Sequence, residues 1–325
     1  RRDGPGGPLT PPASGPGPVA QQAAPSSGLN VRAVWTSQRR RMVRWSPRSR
    51  RLLARALPRL TSALRPVLSL SCSHRKGCGG IKGAVRRIQR SLPRARHVAR
   101  FDVAAYYNSI CHDRMLALLG EAQLPEADLA LLRDYLALPD TRGTGRGLVA
   151  SGSLSPLLGA LYLAPLDHAM RERMKRGQLV SYVRYMDDFV LLARTRWQLR
   201  RAIAQLHGVL SGLGLRVHRK EKLFIGAAMK GFDFLGYRFH PHRRLRASRE
   251  SLRRLRVRAR RLHEQGADSR RLRQYVLRWW RWLLGGLDGL VSRKGGVRRI
   301  ERSLFHWLDI HPRRGRAAAG GAYSS

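Results

Sequence analysis

Residues 181–193 read "SYVRYMDDFVLLA", from Ser181 to Ala193. β-prone residues flank two adjacent acids, Asp187 and Asp188, in a chain poor in acids. The pattern predicts two strands, 179–185 and 189–193, joined at Met186-Asp187-Asp188. Neighbouring carboxylates repel, and burying either is costly without a counter-charge. The tip is therefore either a solvated turn, for which Asp-Asp is ordinary, or a place where a cation sits.

The wider composition favours an anionic partner. Among 325 residues, 64 are Lys or Arg and 20 are Asp or Glu, a formal charge of +44. Arg dominates, which suits bidentate phosphate contact. Such a balance self-repels unless a polyanion is present. Nucleic acid fits through phosphate contacts that release counterions, and an anionic membrane surface competes. A coding bias toward Arg, Ala, Gly and Pro accounts for part of the excess. A hydrophobic content of 43% is enough for a sizeable core. Three cysteines, Cys72, Cys78 and Cys111, make no disulfide framework, so a reducing, cytoplasmic setting is expected. "CSHRKGC" supplies Cys72, His74 and Cys78, but not at an ordinary zinc spacing. The basic start "RRDGPGGPLTPP" lacks the apolar run of a leader peptide. The most apolar window, 147–166, is broken by Pro156 and Pro165 and reads as loop plus helix.

Along the chain, residues 1–45 read as a disordered Pro/Gly/Arg-rich segment, with 31–50 ordered only by a partner despite Trp35 and Trp45. Ser46-Pro47 starts one or two short helices. A basic glycine-rich loop, "HRKGCGGIKGAVR", runs into a basic helix. "HVARFDV" is a strand ending at Asp102, and helices follow. Leu158, Leu161, Tyr162, Leu166 and Ala169 recur at helical spacing, with a kink at Pro165. "FDFLGYRFH" is β-prone, with Gly236 marking a bulge or a close approach. From about Arg243 the chain is helical and basic, and 313–325 reads as a disordered tail. The order strand, helix, helix, strand, strand, helix, strand predicts an α+β unit with helices on one face of an antiparallel sheet. If the strands ending at Asp102 and at the Asp187-Asp188 tip are neighbours, three carboxylates meet on one rim. That arrangement suits two divalent ions and in-line phosphoryl transfer. Hard oxygen donors favour Mg²⁺, with Mn²⁺ as the alternative.

Several stretches together resemble bacterial reverse transcriptases of the group II intron, retron and diversity-generating types. "YMDD" between strands resembles their metal-binding hairpin. "RFDVAAYYNSICHDRML" resembles their first catalytic motif, with Asp102, Tyr106, Tyr107, Ile110, His112 and Asp113 in register. "GLVASGSLSPLLGALYLAPLD" resembles the second motif and "KGFDFLGYRFH" the primer-grip hairpin. "HRKGCGGIKGAVR" resembles a basic segment ahead of the first motif. The resemblance spans about residues 45–285.

It implies a right-hand polymerase: partial fingers at 46–96, an antiparallel-sheet palm at 97–243 and a basic helical thumb at 244–312. It implies an RNA-directed DNA polymerase that extends a primer 3′-end with dNTPs, with an RNA template, a DNA or RNA primer and two Mg²⁺ ions. An accessory protein or a cognate structured RNA would be further partners, and no membrane is implied. Asp102 and Asp187 would ligate both ions, Asp188 would complete the cluster, and the Val103 carbonyl would add an oxygen. Tyr107 falls at the aromatic steric gate against the 2′-hydroxyl, with Tyr106 and Ala150 as further substrate-binding residues. Lys222, or Lys220 by a shifted alignment, falls near a pyrophosphate-protonating Lys, and a plain surface lysine is the other reading. Phe234, Leu235, Gly236 and Tyr237 would grip the primer end, or simply form strand core. Arg75, Lys76, Lys82 and Arg86 would meet nucleic-acid phosphates.

Two departures stand out. Val149-Ala150-Ser151 replaces the family's usual Pro-Gln-Gly. The finger strands that hold the triphosphate have no evident counterpart, so reduced fingers are expected. The alternative function is an RNA chaperone or splicing aid on a reverse-transcriptase scaffold.

Overall fold

The computed structural model describes residues 27–37, 40–218, 223–294 and 296–308. Residues 1–26 and the 313–325 tail, both expected to be disordered, lie outside the described residues.

The first described element corrects the reading of 31–45. Strands β1 (Val31–Ser37) and β2 (Arg40–Trp45) pair antiparallel as a hairpin. Inside the arginine run, Val43 and Trp45 alternate with Arg44, and both are buried. Trp45 stacks on Tyr135 with ring centroids 5.2 Å apart. Two buried apolar anchors at period two give the strand its inner face, which Arg41 shares, while Arg40 and Arg44 lie exposed on the outer one. Helix α1 (Pro47–Ala63) then starts where Ser46 caps it, its hydroxyl accepting from the Ser49 amide at 3.1 Å. Helix α2 (Gly80–Ser91) follows the glycine-rich loop.

Strand β3 (His97–Asp102) leads into α3 (Tyr106–Ser109), α4 (His112–Gly120) and α5 (Glu126–Ala137). Pro165 does more than kink the next helix. It ends α6 (Ser155–Tyr162) and begins α7 (Ala164–Lys175), since it offers no amide to continue the ladder. Strands β4 (Ser181–Tyr185) and β5 (Asp188–Ala193) follow, then α8 (Arg196–Gly212) and β6 (Phe224–Ala227). These four strands form one antiparallel sheet in the order β4-β5-β3-β6. A second sheet holds β7 (Phe232–Phe234), β8 (Tyr237–His240) and β9 (Arg243–Ala247). Three basic helices close the described chain: α9 (Arg249–Glu264), α10 (Ser269–Leu284) and α11 (Gly296–Trp307).

Both faces of the central sheet are covered, where sequence suggested helices on one face only. Ala99, Phe101, Tyr182, Phe189 and Leu191 pack into the main core with α1 and α4–α8. The alternate residues Val98, Val183, Val190 and Leu192 pack against α2, the β7–β9 sheet and the end of α10. Among the described residues, no helix is long and apolar enough to cross a membrane.

Candidate active site

Register brings the acids together. In the β3–β5 ladder Asp102 lies directly opposite Asp188, and in the β4–β5 hairpin Tyr185 lies opposite Asp188. Directly opposed side chains share a face, with Cβ atoms about 5 Å apart. Asp187 occupies the turn, and its carbonyl accepts from the Val103 amide at 3.2 Å. Asp102, Asp187 and Asp188 therefore meet at one end of the sheet. Asp102 is buried, while Asp187 and Asp188 are half-buried. The segment 216–218 runs beside this rim. His218 donates its amide to the Asp102 carbonyl at 2.9 Å, and its Nε2 lies 3.4 Å from the Asp102 carboxylate.

The donor set fits a hard divalent cation, because all three groups are carboxylates and two stand directly opposed across a ladder. Like charges so placed destabilise a sheet unless something neutralises them. Among the described residues no three His, Cys, Asp or Glu side chains already converge as a ligand group.

Turn chemistry is unusual at the tip. The hairpin has two central residues, Met186 and Asp187, and Met186 has φ of 57°. A first central residue with positive φ normally calls for glycine. Behind the turn, Arg184 is fully buried and forms an ion pair with fully buried Asp167 of α7. Its Nε donates to Asp167 at 2.7 Å, its Nη2 to the Ala160 carbonyl at 3.2 Å and its Nη1 to the Met186 carbonyl at 2.9 Å. Tyr182 also donates to Asp167 at 2.7 Å. Sequence reading passed over Arg184 and Asp167. The signal was available, because an arginine inside an apolar strand needs a buried acid.

The two tyrosines divide. Tyr106 turns inward and donates to the Gly159 carbonyl, so its side chain is core. Tyr107 is half-buried, and burial pushes its phenol up to about 12, with the Asp187 charge adding in the same direction and Arg40 opposing. Tyr107 therefore feels the charges of both the acidic turn and Arg40 of β2, which is exposed. A Cβ at Gly159 would sit 3.1 Å from the Tyr107 ring, which would have to give by a few tenths of an ångström to admit it. The β1–β2 hairpin docks on the glycine-rich loop. Ala150 donates its amide to the Arg41 carbonyl at 2.8 Å, and the Ser151 hydroxyl bonds both polar groups of Val43. Arg41 itself pairs with buried Asp140 at 3.2 Å. Arg40 lies in the arginine run that the sequence reading took as unstructured.

The remaining expected site residues scatter. Phe234 and Tyr237 are buried, and Leu235-Gly236 form the half-buried tip of a two-residue turn, both with positive φ. Lys82 does not face outward. Its ammonium is held by the Tyr237 hydroxyl and the Trp282 carbonyl, over both rings, and burial lowers it to about 8. Arg75 is half-buried and donates to the Ser69 carbonyl at 3.0 Å. Lys76 and Arg86 are exposed. Lys220 and Lys222 lie outside the described residues.

A family model described as reverse transcriptase (RNA-dependent DNA polymerase) matches residues 37–239, more than half of the chain. The chain belongs to the reverse transcriptase family. Its fold is α+β, a right-hand polymerase with an antiparallel-sheet palm, a helical thumb and reduced fingers. Protein YkfC of Escherichia coli (strain K12) is 26% identical over 181 residues, which cover 45% of this chain and 47% of that protein. The chain thus spans about half the length of the curated relative it matches. Among solved structures, apo telomerase from Candida Tropicalis gives a TM-score of 0.48 at 9% identity, covering 80% of this chain and 51% of that one. Telomerase from Candida albicans in complex with a fragment of telomeric RNA gives 0.46 at 12% identity, covering 79% and 47%. Both likenesses are weak.

Proposed function

We propose that this protein is an RNA-directed DNA polymerase that extends a primer 3′-end with deoxynucleotides on an RNA template. The observation that supports this most is the placement of Asp102 opposite Asp188, with Asp187 at the adjoining turn, inside a reverse transcriptase match. The proposed divisions are partial fingers at 46–96, to which we add the 31–45 hairpin, a palm at 97–243 and a thumb at 244–312.

In this reading Asp102, Asp187 and Asp188 hold two divalent ions, Mg²⁺ or Mn²⁺, with the Val103 carbonyl as a further oxygen. Such ions, when bound, activate a 3′-hydroxyl and neutralise a triphosphate. The chain's own residues do the rest. Arg40 meets triphosphate oxygens. The Tyr107 ring fills the space a 2′-hydroxyl would need, while Ala150 forms the other side of the nucleotide site. The Leu235-Gly236 tip supports the primer strand, and exposed Lys76, Arg86 and thumb arginines meet phosphates.

Primer extension on poly(rA)/oligo(dT) with Mg²⁺ tests the reading. The wild type is expected to extend. Asp187→Ala should lower extension by about a thousandfold or more while RNA binding persists. Tight RNA binding by a wild type that extends nothing would leave only a binding protein on this scaffold. Relaxed discrimination against ribonucleotides in Tyr107→Val checks the gate separately; unchanged selectivity removes it.

A further inference from the structure

The segment 71–74 lies along the open edge of β4. Ser73 donates its amide to the Arg184 carbonyl at 2.8 Å, and Arg184 donates its own to the Ser71 carbonyl at 3.2 Å. This edge pairing delivers His74 to the back of the acidic turn. The Met186 amide donates to His74 Nδ1 at 3.1 Å, and His74 Nε2 lies 3.1 Å from the Pro156 carbonyl at the start of α6. An amide can only donate and a carbonyl can only accept. His74 is therefore neutral, bare at Nδ1 and protonated at Nε2. Burial, which disfavours its charged form, acts in the same direction. The Cys72 thiol lies 3.3 Å from the same Nδ1 and is kept protonated by burial. The Tyr185 ring meets the imidazole edge-on at 6.0 Å.

Both polar groups of Met186 are thus held from behind. Its amide goes to His74, and its carbonyl goes to Arg184. A non-glycine residue in this conformation is strained and persists only where its surroundings over-determine it. Each holder is itself tied to the α6–α7 pair, His74 through Pro156 and Arg184 through Ala160 and Asp167.

We propose that His74 is a positioning residue, a neutral imidazole strut that fixes the Met186-Asp187 turn against the N-terminal end of α6. It touches no reacting atom in this account. It sets where Asp187 stands relative to the glycine-rich loop that forms the nucleotide site. The catalytic part rests on the polymerase reading above, and the strut itself does not.

Asparagine and glutamine separate the two bonds. Asparagine carries its side-chain oxygen where imidazole carries Nδ1, and so can still accept from Met186. Glutamine carries its amide nitrogen where imidazole carries Nε2, and so keeps only the bond to Pro156. The full-length chain, labelled with ¹⁵N at His and Met, should show an Nε2-protonated His74 and a Met186 amide protected from exchange. Protection should survive in His74→Asn and be lost in His74→Gln and His74→Phe. In primer extension, His74→Asn should stay within about threefold of wild type. The other two should lose about 10- to 100-fold in kcat, with template affinity and thermal midpoint nearly unchanged. Protection that persists in His74→Gln, or an asparagine variant as slow as phenylalanine, overturns the proposal. Equal kcat in all four proteins overturns the positioning role. If the wild type extends nothing, the polymerase reading falls, and the exchange pattern still decides whether the strut exists.

Discussion

Two regions of this molecule use the same chemistry, arginine paired with a carboxylate, at opposite extremes of exposure. In the palm, Arg184 and Asp167 are both fully buried, and every nitrogen of the guanidinium has a partner. In the thumb, α9 carries seven arginines and two glutamates, and its pairs lie in solvent. Removing water from two charges costs several kcal/mol per ion, which a pair recovers only in excellent geometry. An exposed pair gains about 0–1 kcal/mol. The palm pair therefore contributes placement, tying α7, β4 and the acidic turn into one unit. The thumb pairs contribute little to folding and leave a surplus of positive charge for phosphates.

The comparison breaks first at Asp167. Asp167→Ala strands a buried guanidinium and should cost about 3–5 kcal/mol of stability, read from urea midpoints. Asp167→Leu with Arg184→Met sharpens the point. Apolar side chains of similar size should restore most of that stability. The Met186 carbonyl would still lack its donor, so extension should remain depressed. Full activity in the double variant would show that the pair contributes stability and not placement.

A smaller effect is expected where palm meets thumb. Gly236 has φ of 86°, and a Cβ there would sit 3.0 Å from Cη2 of Trp282 in α10. Gly236→Ala should destabilise by about 1–2 kcal/mol through the backbone conformation and the close approach. A thermal midpoint equal to wild type would mean that the tip is free to move off the thumb.

Much of this division was legible in sequence. The acidic hairpin and the strand ending at Asp102 follow from side-chain period, and proline chemistry marked Pro165, though as a kink where the chain in fact starts a new helix. The β1–β2 hairpin was not legible, because its arginines hid the alternation of Val43 and Trp45, and its order depends on Tyr135 and Ser151, about a hundred residues away. The inward turn of Lys82 was hidden for a similar reason. A lysine in a basic loop reads as surface until Tyr237 and Trp282 are seen to enclose it. Arg184 and His74 were visible as residues but not as a pair of holders, since their partners come from α6 and α7.

Thumb arginines should show their effect in salt dependence. Arg256 and Arg258 are exposed on α9. Replacing either with Gln should weaken RNA binding similarly across sequences and reduce the slope of log affinity against log salt by about 1. Stability should shift by less than about 0.5 kcal/mol. An unchanged slope would take that face of α9 away from the nucleic acid.

A small, pH-dependent effect belongs to Glu250. Hydrogen bonds from Arg253 at 2.6 Å and Arg254 at 2.8 Å hold its carboxyl down at about 2. A carboxylate depressed on folding contributes stability above its unfolded value near 4.5, and that contribution fades as pH falls through the folded value. Its side chain is 46% exposed, so solvent screens most of what the shift would suggest. Glu250→Gln should therefore lower stability by no more than about 1 kcal/mol at neutral pH, and the difference from wild type should close between about pH 4.5 and pH 2. Melting curves of both proteins across that range provide the check. A gap that widened on acidification would reverse the sign. A loss approaching that of Asp167→Ala would mean that the thumb pairs, like the palm pair, are shielded from water.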